Sequence, residues 1–484
     1  MTTNKLANTA RRLLPANQFA RSVSVLAGGT ASGQVIVVAA SPILTRLYTP
    51  EEFGVLAIFA SLLGILGVIA SLRYDLAIPL PEKEQEAVDL TALSLLVALT
   101  VSLITAVVVI PFGASIAIAF NVPMLGDYIW LLPLGLFLMG AYQVFTNWAV
   151  RKKAFPVIAK TKVTQSFSMV VVQIAGHGVG PLALVVGRIF GQAIGISRLA
   201  TNTIRDFRLL NARFDYNGII KAAVRYRSFP IYSSWSGLLS TGGPQVPPIL
   251  FSLFYGASAA GTYYLAHRVI ALPLTVIGGS ISNVYMPDAV QALRENRLRS
   301  AVEKVHATLS HIAMPPAVTL FLIAPDIFTL AFGENWAQAG EIVRWLTPML
   351  FFQFVVSPLS RTFTVMERQR LGLSLHVILF ALRMLAIVIP TWASLRFTTT
   401  VFWYSMASCI GYIAFAYGTS KIAKSRFSLN IKDWFLSFLV GLALNIFLFI
   451  YYLSGSITLF FLGVSVFITA ILVGFFYRNL ATKP

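Results

Sequence analysis

Apolar stretches long enough to cross a lipid bilayer recur from one end of this 484-residue chain to the other. A helix needs about 20 mostly apolar residues to cross roughly 30 Å of hydrocarbon. Because lipid offers no partner to a backbone N–H or C=O, such stretches must form helices whose hydrogen bonds are internal. Only 11% of the residues are charged, against about 25% in soluble globular proteins. The sequence therefore predicts an all-α polytopic membrane protein.

Hydrophobic length and the turn residues between the stretches predict about 14 membrane-spanning helices. We place them at 22–46, 53–72, 87–112, 128–149, 163–178, 181–204, 229–254, 258–286, 306–332, 341–363, 371–393, 398–420, 434–453 and 457–477.

The basic residues predict how these helices are oriented. Of the 37 Lys and Arg, 31 fall in segments on one side of the predicted membrane, and the opposite side holds only Arg46 and Arg396. Basic loops stay in the cytoplasm, so this bias accounts for the net charge of +19 without any need for nucleic acid. We expect a bacterial cytoplasmic (inner) membrane protein with both termini in the cytoplasm.

A short internal repeat predicts two similar halves. The motif Pro-Ile-Leu-x-x-Leu-aromatic occurs at 42–48 and again at 248–254, and Gly54 and Gly261 follow the two copies. Six predicted helices lie between the copies, so the halves share one orientation, as in a parallel repeat about an axis along the membrane normal. We expect two six-helix lobes around a central cavity: a tail at 1–21, an N-lobe at 22–215, a C-lobe at 216–425, and helices 13 and 14 with the C-terminus at 426–484.

Two further features concern helix bending and the membrane surface. The first and seventh helices carry runs of small polar residues, at 28–34 and 233–244, that permit close packing or bending. The basic segment 205–227 is expected to lie on the membrane surface as an amphipathic linker, with a solvated loop as the alternative.

Ionisable residues inside a bilayer are costly and usually face a cavity. Arg383, Arg268 and Arg188 lie within predicted helices and have no acidic residue one turn away, whereas Arg344 and Arg46 lie at outer helix ends. An arginine keeps its proton and binds phosphate with two parallel hydrogen bonds, so the five predict a pyrophosphate or sugar site. Snorkelling or pairing with a distant acid is the alternative, and it is the stronger interpretation for Arg46 and Arg344. Polar neighbours complete the predicted substrate-binding set: His376, Tyr264 and Gln192.

Acidic residues are rarer in the predicted spans. Asp75, Glu367 and Asp326 are candidates for ion or proton coupling, although a structural role such as pairing of Asp75 with Arg73 is the stronger interpretation. The single cysteine, Cys409, allows no internal disulfide or Cys/His metal cluster. No catalytic motif and no phosphate-binding loop for ATP is found. We therefore expect neither an enzyme nor a cofactor, and coupling to a proton or sodium gradient stays open.

Three motifs resemble those of a known family. They are PILTRLYTPEEFG at 42–54, SLRYDLAIPLP at 71–81 and FGENWAQAG at 332–340. Together they are similar to the Wzx-type flippases of O-antigen and capsule synthesis, in the multidrug/oligosaccharidyl-lipid/polysaccharide exporter superfamily, and the resemblance covers most of the chain.

The resemblance implies alternating access between two lobes, a cationic lumen, and an undecaprenyl-pyrophosphate-linked oligosaccharide moved from the cytoplasmic to the periplasmic leaflet. Membrane lipids, and the polymerase and chain-length proteins of polysaccharide synthesis, would be its partners. A drug or metabolite antiporter driven by cations would need acids in the cavity, and a lipid II flippase would differ only in cargo. A membrane glycosyl polymerase or ligase usually has a large periplasmic loop, whereas the predicted outer loops are short.

Overall fold

The computed structural model of the chain describes residues 18–212 and 215–454. All regular secondary structure in these two stretches is helical, which confirms the predicted all-α class. The helices form two compact units, with the division between Arg268 and Val269. The lobes predicted at 22–215 and 216–425 divide the chain elsewhere, and they stay a prediction.

In the first unit, a local sequence signal marks where the second helix begins. Thr49 starts the second helix with a capping box, in which its side chain accepts from the Glu52 N–H and the Glu52 carboxylate accepts from the Thr49 N–H. The helices of this unit are α1 (Gln18–Leu47), α2 (Pro50–Ile69), α3 (Glu84–Ala119), α4 (Leu132–Arg151), α5 (Phe155–Ala175), α6 (Pro181–Leu209), α7 (Tyr216–Arg225), α8 (Val246–Tyr255) and α9 (Ala257–Pro273), the last of which runs past the division.

The second unit continues with helices of similar length. Its α11 is 35 residues long and contains three prolines, and α12 packs along it. The helices are α10 (Gly279–Arg294), α11 (Leu298–Phe332), α12 (Ala337–Leu359), α13 (Gln369–Trp392), α14 (Phe397–Ile422), α15 (Phe427–Leu444) and α16 (Ile446–Ser454).

Ten helices in the described stretches are long and apolar enough to cross a membrane, which confirms a multi-pass membrane protein. The predicted total of about 14 is consistent with this count and stays a prediction. The span predicted at 457–477 lies outside the described residues. The spans predicted at 229–254 and 258–286 are interrupted, the first by irregular turns before α8 and the second by a π-helical turn, Leu274–Gly278, between α9 and α10.

The first of these interruptions, which we call the broken segment, covers residues 229–245. It contains two π-helical turns, Phe229–Ser233 and Leu238–Gly242, and a 3₁₀ turn, Gly243–Gln245. Two consecutive glycines followed by Pro244 weaken the regular i to i−4 hydrogen bonding there, because proline has no N–H to donate. The seventh predicted helix is therefore irregular at its small-residue run, while α1 runs without interruption from Gln18 to Leu47. Bending of either helix stays a prediction.

The glycines that follow the two copies of the repeat motif each lie against the first turn of the other's helix. A Cβ added to Gly54 on α2 would overlap the carbonyl oxygen of Ala257, and a Cβ added to Gly261 on α9 would overlap the carbonyl oxygen of Pro50. Pro50 is the first residue of α2 and precedes Gly54 by four positions. Ala257 is the first residue of α9 and precedes Gly261 by four positions. The contact is thus reciprocal, and it needs hydrogen in place of a side chain at both positions.

Replacement of either glycine by alanine tests this contact. We expect Gly54→Ala and Gly261→Ala each to lower the free energy of unfolding by about 1–3 kcal/mol, because overpacking against backbone cannot be relieved by a rotamer change. The thermal unfolding midpoint of the purified protein measures the effect. Gly28→Ala is the matched control, because a Cβ at Gly28 has no neighbour within 4 Å. Unchanged thermal unfolding midpoints for both Gly54→Ala and Gly261→Ala would contradict the reciprocal contact.

Candidate functional site

A cavity of about 400 Å³ lies within the first unit. Six helices and the broken segment supply its walls. The lining residues are Thr30, Gly33, Gln34 and Val37 of α1; Ala60 of α2; Lys162, Gln165, Ser166 and Met169 of α5; Arg188 and Gln192 of α6; Pro244 and Gln245 of the broken segment; Pro248 of α8; and Tyr263, Tyr264, His267 and Arg268 of α9.

Helical periodicity explains why these side chains share one cavity. Residues three or four apart lie on one face of a helix. Arg188 and Gln192 are four residues apart on α6, and Tyr264 and Arg268 are four apart on α9. Each of these helices therefore presents a basic group and a polar neighbour to the same space.

The charged groups in the cavity lining are all basic. Lys162, Arg188 and Arg268 are among the lining residues, and none of the lining residues that the structure describes is Asp or Glu. The Arg268 guanidinium lies 5.8 Å from the ring centre of Tyr264, and the Lys162 ammonium lies 4.7 Å from that of Tyr142. The Nε of Arg188 is buried and makes no hydrogen bond within the described structure. Aromatic faces offset part of the charge of two cations, and the third has an N–H group to offer to a ligand.

Uncharged amides share the cavity with the cations. Gln192 is only 7% exposed, and its Oε1 has no hydrogen-bond donor in the described structure. Gln34, Gln165 and Gln245 also line the space. A buried carbonyl without a donor is unfavourable, so a ligand with hydroxyl groups would satisfy Gln192.

Four of the eight predicted substrate-binding residues line this cavity: Arg188, Arg268, Tyr264 and Gln192. Lys162 also lines it and was missed, because the sequence placed the start of its helix at residue 163. That boundary was wrong: α5 begins at Phe155, with Pro156 in its first turn, where the missing N–H costs nothing. Lys162 thus lies two turns inside the helix, one turn before Ser166.

Arg383 belongs to the second unit and is surrounded by polar and aromatic side chains of α14. Its Nε donates to the Ser408 hydroxyl at 2.9 Å and its Nη2 to the Tyr412 hydroxyl at 3.0 Å. The guanidinium also lies over the rings of Tyr404 and Tyr412, at 5.7 and 5.4 Å. Hydroxyls and aromatic faces together make a cation tolerable within the helix bundle.

The three other predicted binding residues have individual surroundings. The His376 ring packs against that of Phe415, with ring centres 4.7 Å apart and ring planes inclined by 60°. Arg344 donates to the carbonyl oxygens of Phe321 and Leu322 at 3.0 and 3.1 Å. The Phe321 carbonyl lacks its usual helical donor because residue 325, four positions on, is proline. Arg46 caps its own helix through a 2.7 Å hydrogen bond to the Pro42 carbonyl.

The candidate coupling acids differ in burial. Glu367 is exposed and Asp326 is half-buried. Asp75 is 2% exposed and lies in a 3₁₀ turn between α2 and α3. Its carboxylate accepts hydrogen bonds from the Ser71 hydroxyl and, at 2.9 Å, from the Asn147 amide. Burial raises the pKa of Asp75, while the Ser71 hydrogen bond and the charge of Arg73 partly oppose that rise.

The raised pKa of Asp75 predicts that the free energy of unfolding depends on pH. A carboxyl group whose folded-state pKa is raised favours its protonated form in the folded protein, so it destabilises the fold increasingly as pH rises through that pKa. We expect Asp75→Asn to gain thermal stability relative to the unmodified protein as pH is raised from about 4, the ordinary carboxyl value, to neutrality.

The test is the difference in thermal unfolding midpoint between Asp75→Asn and the unmodified protein, measured across this pH range. Glu367→Gln, which neutralises a carboxylate on the exposed surface, is the control. A difference that does not change with pH would show that Asp75 does not titrate in this way.

Comparison with known proteins adds the following similarities. Residues 43–341 match the family described as polysaccharide biosynthesis protein. The teichuronic acid biosynthesis protein TuaB of Bacillus subtilis (strain 168) is 25% identical over 224 residues, which are 45% of this chain and 45% of TuaB. The succinoglycan biosynthesis transport protein ExoT of Rhizobium meliloti (strain 1021) is 23% identical over 318 residues, 63% of this chain and 60% of ExoT. The chain thus matches about half of one relative and three fifths of the other.

Among solved structures, the fold resembles the lipid II flippase MurJ in an inward closed conformation. The TM-score is 0.75 at 14% sequence identity, covering 94% of this chain and 98% of MurJ. At this identity the likeness concerns the fold alone, and it agrees with the all-helical membrane fold expected from the sequence.

Proposed function

The chain belongs to the polysaccharide biosynthesis protein family, and from this premise we propose that it is a flippase for a lipid-linked oligosaccharide. Its cargo would be an undecaprenyl-pyrophosphate-linked glycan, moved from the cytoplasmic to the periplasmic leaflet for synthesis of O-antigen, capsule or exopolysaccharide. The observation that carries the proposal is the cavity of the first unit, whose described lining contains three basic residues and no acidic one.

The pyrophosphate would occupy the cationic part of the cavity. Arg188 and Arg268 bind phosphate oxygens through paired N–H groups, and Lys162 adds a compact charge. These groups replace the water that the pyrophosphate loses on leaving the membrane surface, while the prenyl tail stays in lipid. The sugars would bind the amides, with a hydroxyl donating to the unpaired Oε1 of Gln192.

Residues outside this cavity enter the proposal less directly. Arg383 and His376 stay candidate substrate contacts of the second unit. Arg344 and Arg46 hold backbone carbonyls, so we assign them a structural role first. Coupling to a proton or sodium gradient, through Asp75, Asp326 or Glu367, is an open part of the proposal. So are the inner-membrane location, cytoplasmic termini, and association with polymerase and chain-length proteins.

The charge of the cavity argues against the rival functions. A cation-coupled drug antiporter attracts cations with acidic residues, and the described lining contains none. A glycosyl polymerase or ligase usually has a large periplasmic loop, and the relative ExoT is named a succinoglycan biosynthesis transport protein.

The cargo can be identified in a deletion strain. We expect cells without this gene to lose surface glycan and to accumulate an undecaprenyl-pyrophosphate-linked oligosaccharide on the cytoplasmic side, detected by mass spectrometry of extracted lipids. Normal surface glycan in a strain without a redundant transporter would contradict the proposed function.

The cavity can be tested by neutralising its cations. We expect Arg188→Gln, Arg268→Gln and Lys162→Gln each to reduce the rate of translocation in reconstituted vesicles roughly ten-fold or more, because each loses a charge-assisted hydrogen bond to the pyrophosphate. Arg299→Gln is the matched control, since Arg299 pairs with Glu303 on an exposed helix surface. Rates equal to the control in all three variants would remove the cavity from the mechanism.

A further inference from the structure

Within the first unit, the short helix α7 packs one face against α3 and α4. Ala222 and Tyr226 are buried there, among residues of α3 and α4. A Cβ at Gly218 would overlap the carboxylate of Asp89 on α3, and Tyr226 donates to Glu86 at 3.2 Å. Side-chain and backbone contacts thus fix both the position of α7 and its rotation about its own axis.

A second face of α7 is apolar and exposed. Tyr216, Ile220 and Val224 are 75%, 45% and 60% exposed. They are spaced four residues apart, so they form one stripe along the helix. Three apolar side chains aligned in this way are unfavourable in water, and such a stripe marks a surface that contacts lipid or another protein.

A third face is basic, next to the stripe. Lys221 and Arg225 lie on it, and the end of α6 together with the residue after α7 adds further exposed cations: Arg205, Arg208 and Arg227. Two nearby acids are engaged away from this face, whereas the third pairs with Arg225 of the face itself. Asp215 caps α7 through the N–H groups of Asn217 and Gly218, Asp206 accepts from Trp148, and Glu86 pairs with Arg225.

The level of α7 relative to the membrane follows from the helix that it contacts. With 36 residues, α3 is about 54 Å long at 1.5 Å per residue, against roughly 30 Å of hydrocarbon. The excess length is assigned to its first turns, where Glu86 and Asp89 touch α7, because acidic residues are costly inside the hydrocarbon. A helix at this level, with an apolar stripe beside a basic one, suits the boundary between acyl chains and headgroups.

We propose that α7 lies in the headgroup layer on the basic side of the membrane and binds anionic phospholipid there. The stripe of Tyr216, Ile220 and Val224 enters the acyl-chain boundary. Lys221 and Arg208 bind the phosphates of anionic headgroups, which attract nearby basic side chains. Only residues 226–228 separate α7 from the broken segment. Bound lipid would therefore hold the start of a segment that lines the cavity.

Site-directed fluorescence in nanodiscs tests the depth of α7. The native cysteine is buried and is removed as Cys409→Ala, after which Ile220→Cys or Lys221→Cys carries an NBD label. We expect blue-shifted emission at position 220, quenched by spin-labelled lipid, and water-like emission at position 221. Water-like emission at both positions would overturn the proposal, and would indicate that the stripe serves a protein partner instead.

Lipid charge is tested with the label at position 220. We expect spin-labelled phosphatidylglycerol to quench more than spin-labelled phosphatidylcholine at equal mole fraction, and the difference to shrink in high salt. Adding Lys221→Gln and Arg208→Gln should abolish the preference, whereas Arg299→Gln should keep it. Equal quenching by the two lipids at low salt would overturn the choice of an anionic ligand.

Discussion

The placement of three basic side chains around one cavity of a membrane-embedded helix bundle is the constraint on which this structure depends. A cation in a low-dielectric interior is costly unless opposite charge, aromatic faces or water stabilise it. Tyrosine rings lie beside Lys162 and Arg268, and the described lining offers no carboxylate. An anionic cargo would supply the missing charge, so the groups that are costly in the empty protein would favour binding.

The same unit contains a tight helix contact and an irregular segment. The reciprocal Gly54 and Gly261 contacts bring the first turns of α2 and α9 to backbone distance, which fixes where α9 carries Tyr264 and Arg268. The broken segment contributes Pro244 and Gln245 to the cavity through π and 3₁₀ turns. Such turns often accompany functional sites because they change the direction of side chains without ending the helix.

Helical spacing and hydrophobic length predicted much of this arrangement. The depth of Arg188 and Arg268 in apolar stretches identified both as cavity residues, and Tyr264 and Gln192 followed from the four-residue spacing. Lys162 was missed because a basic residue near a helix start resembles a loop residue. The role of Arg344 could not be predicted, since the carbonyl that it satisfies is left without a donor by Pro325 on another helix. Side-chain contacts between two different helices, such as that of Arg383 with Tyr412, cannot be predicted from helical spacing within one helix.

The central claim is that the cavity selects its ligand by negative charge. Binding to the purified, lipid-reconstituted protein can be compared for an undecaprenyl-pyrophosphate-linked oligosaccharide and the same glycan joined to undecaprenol without phosphate. The account predicts at least roughly ten-fold tighter binding of the pyrophosphate form, as expected for charge-assisted hydrogen bonds, and a smaller difference when Arg188 and Arg268 are both replaced by glutamine. Equal affinity for the two lipids would contradict it.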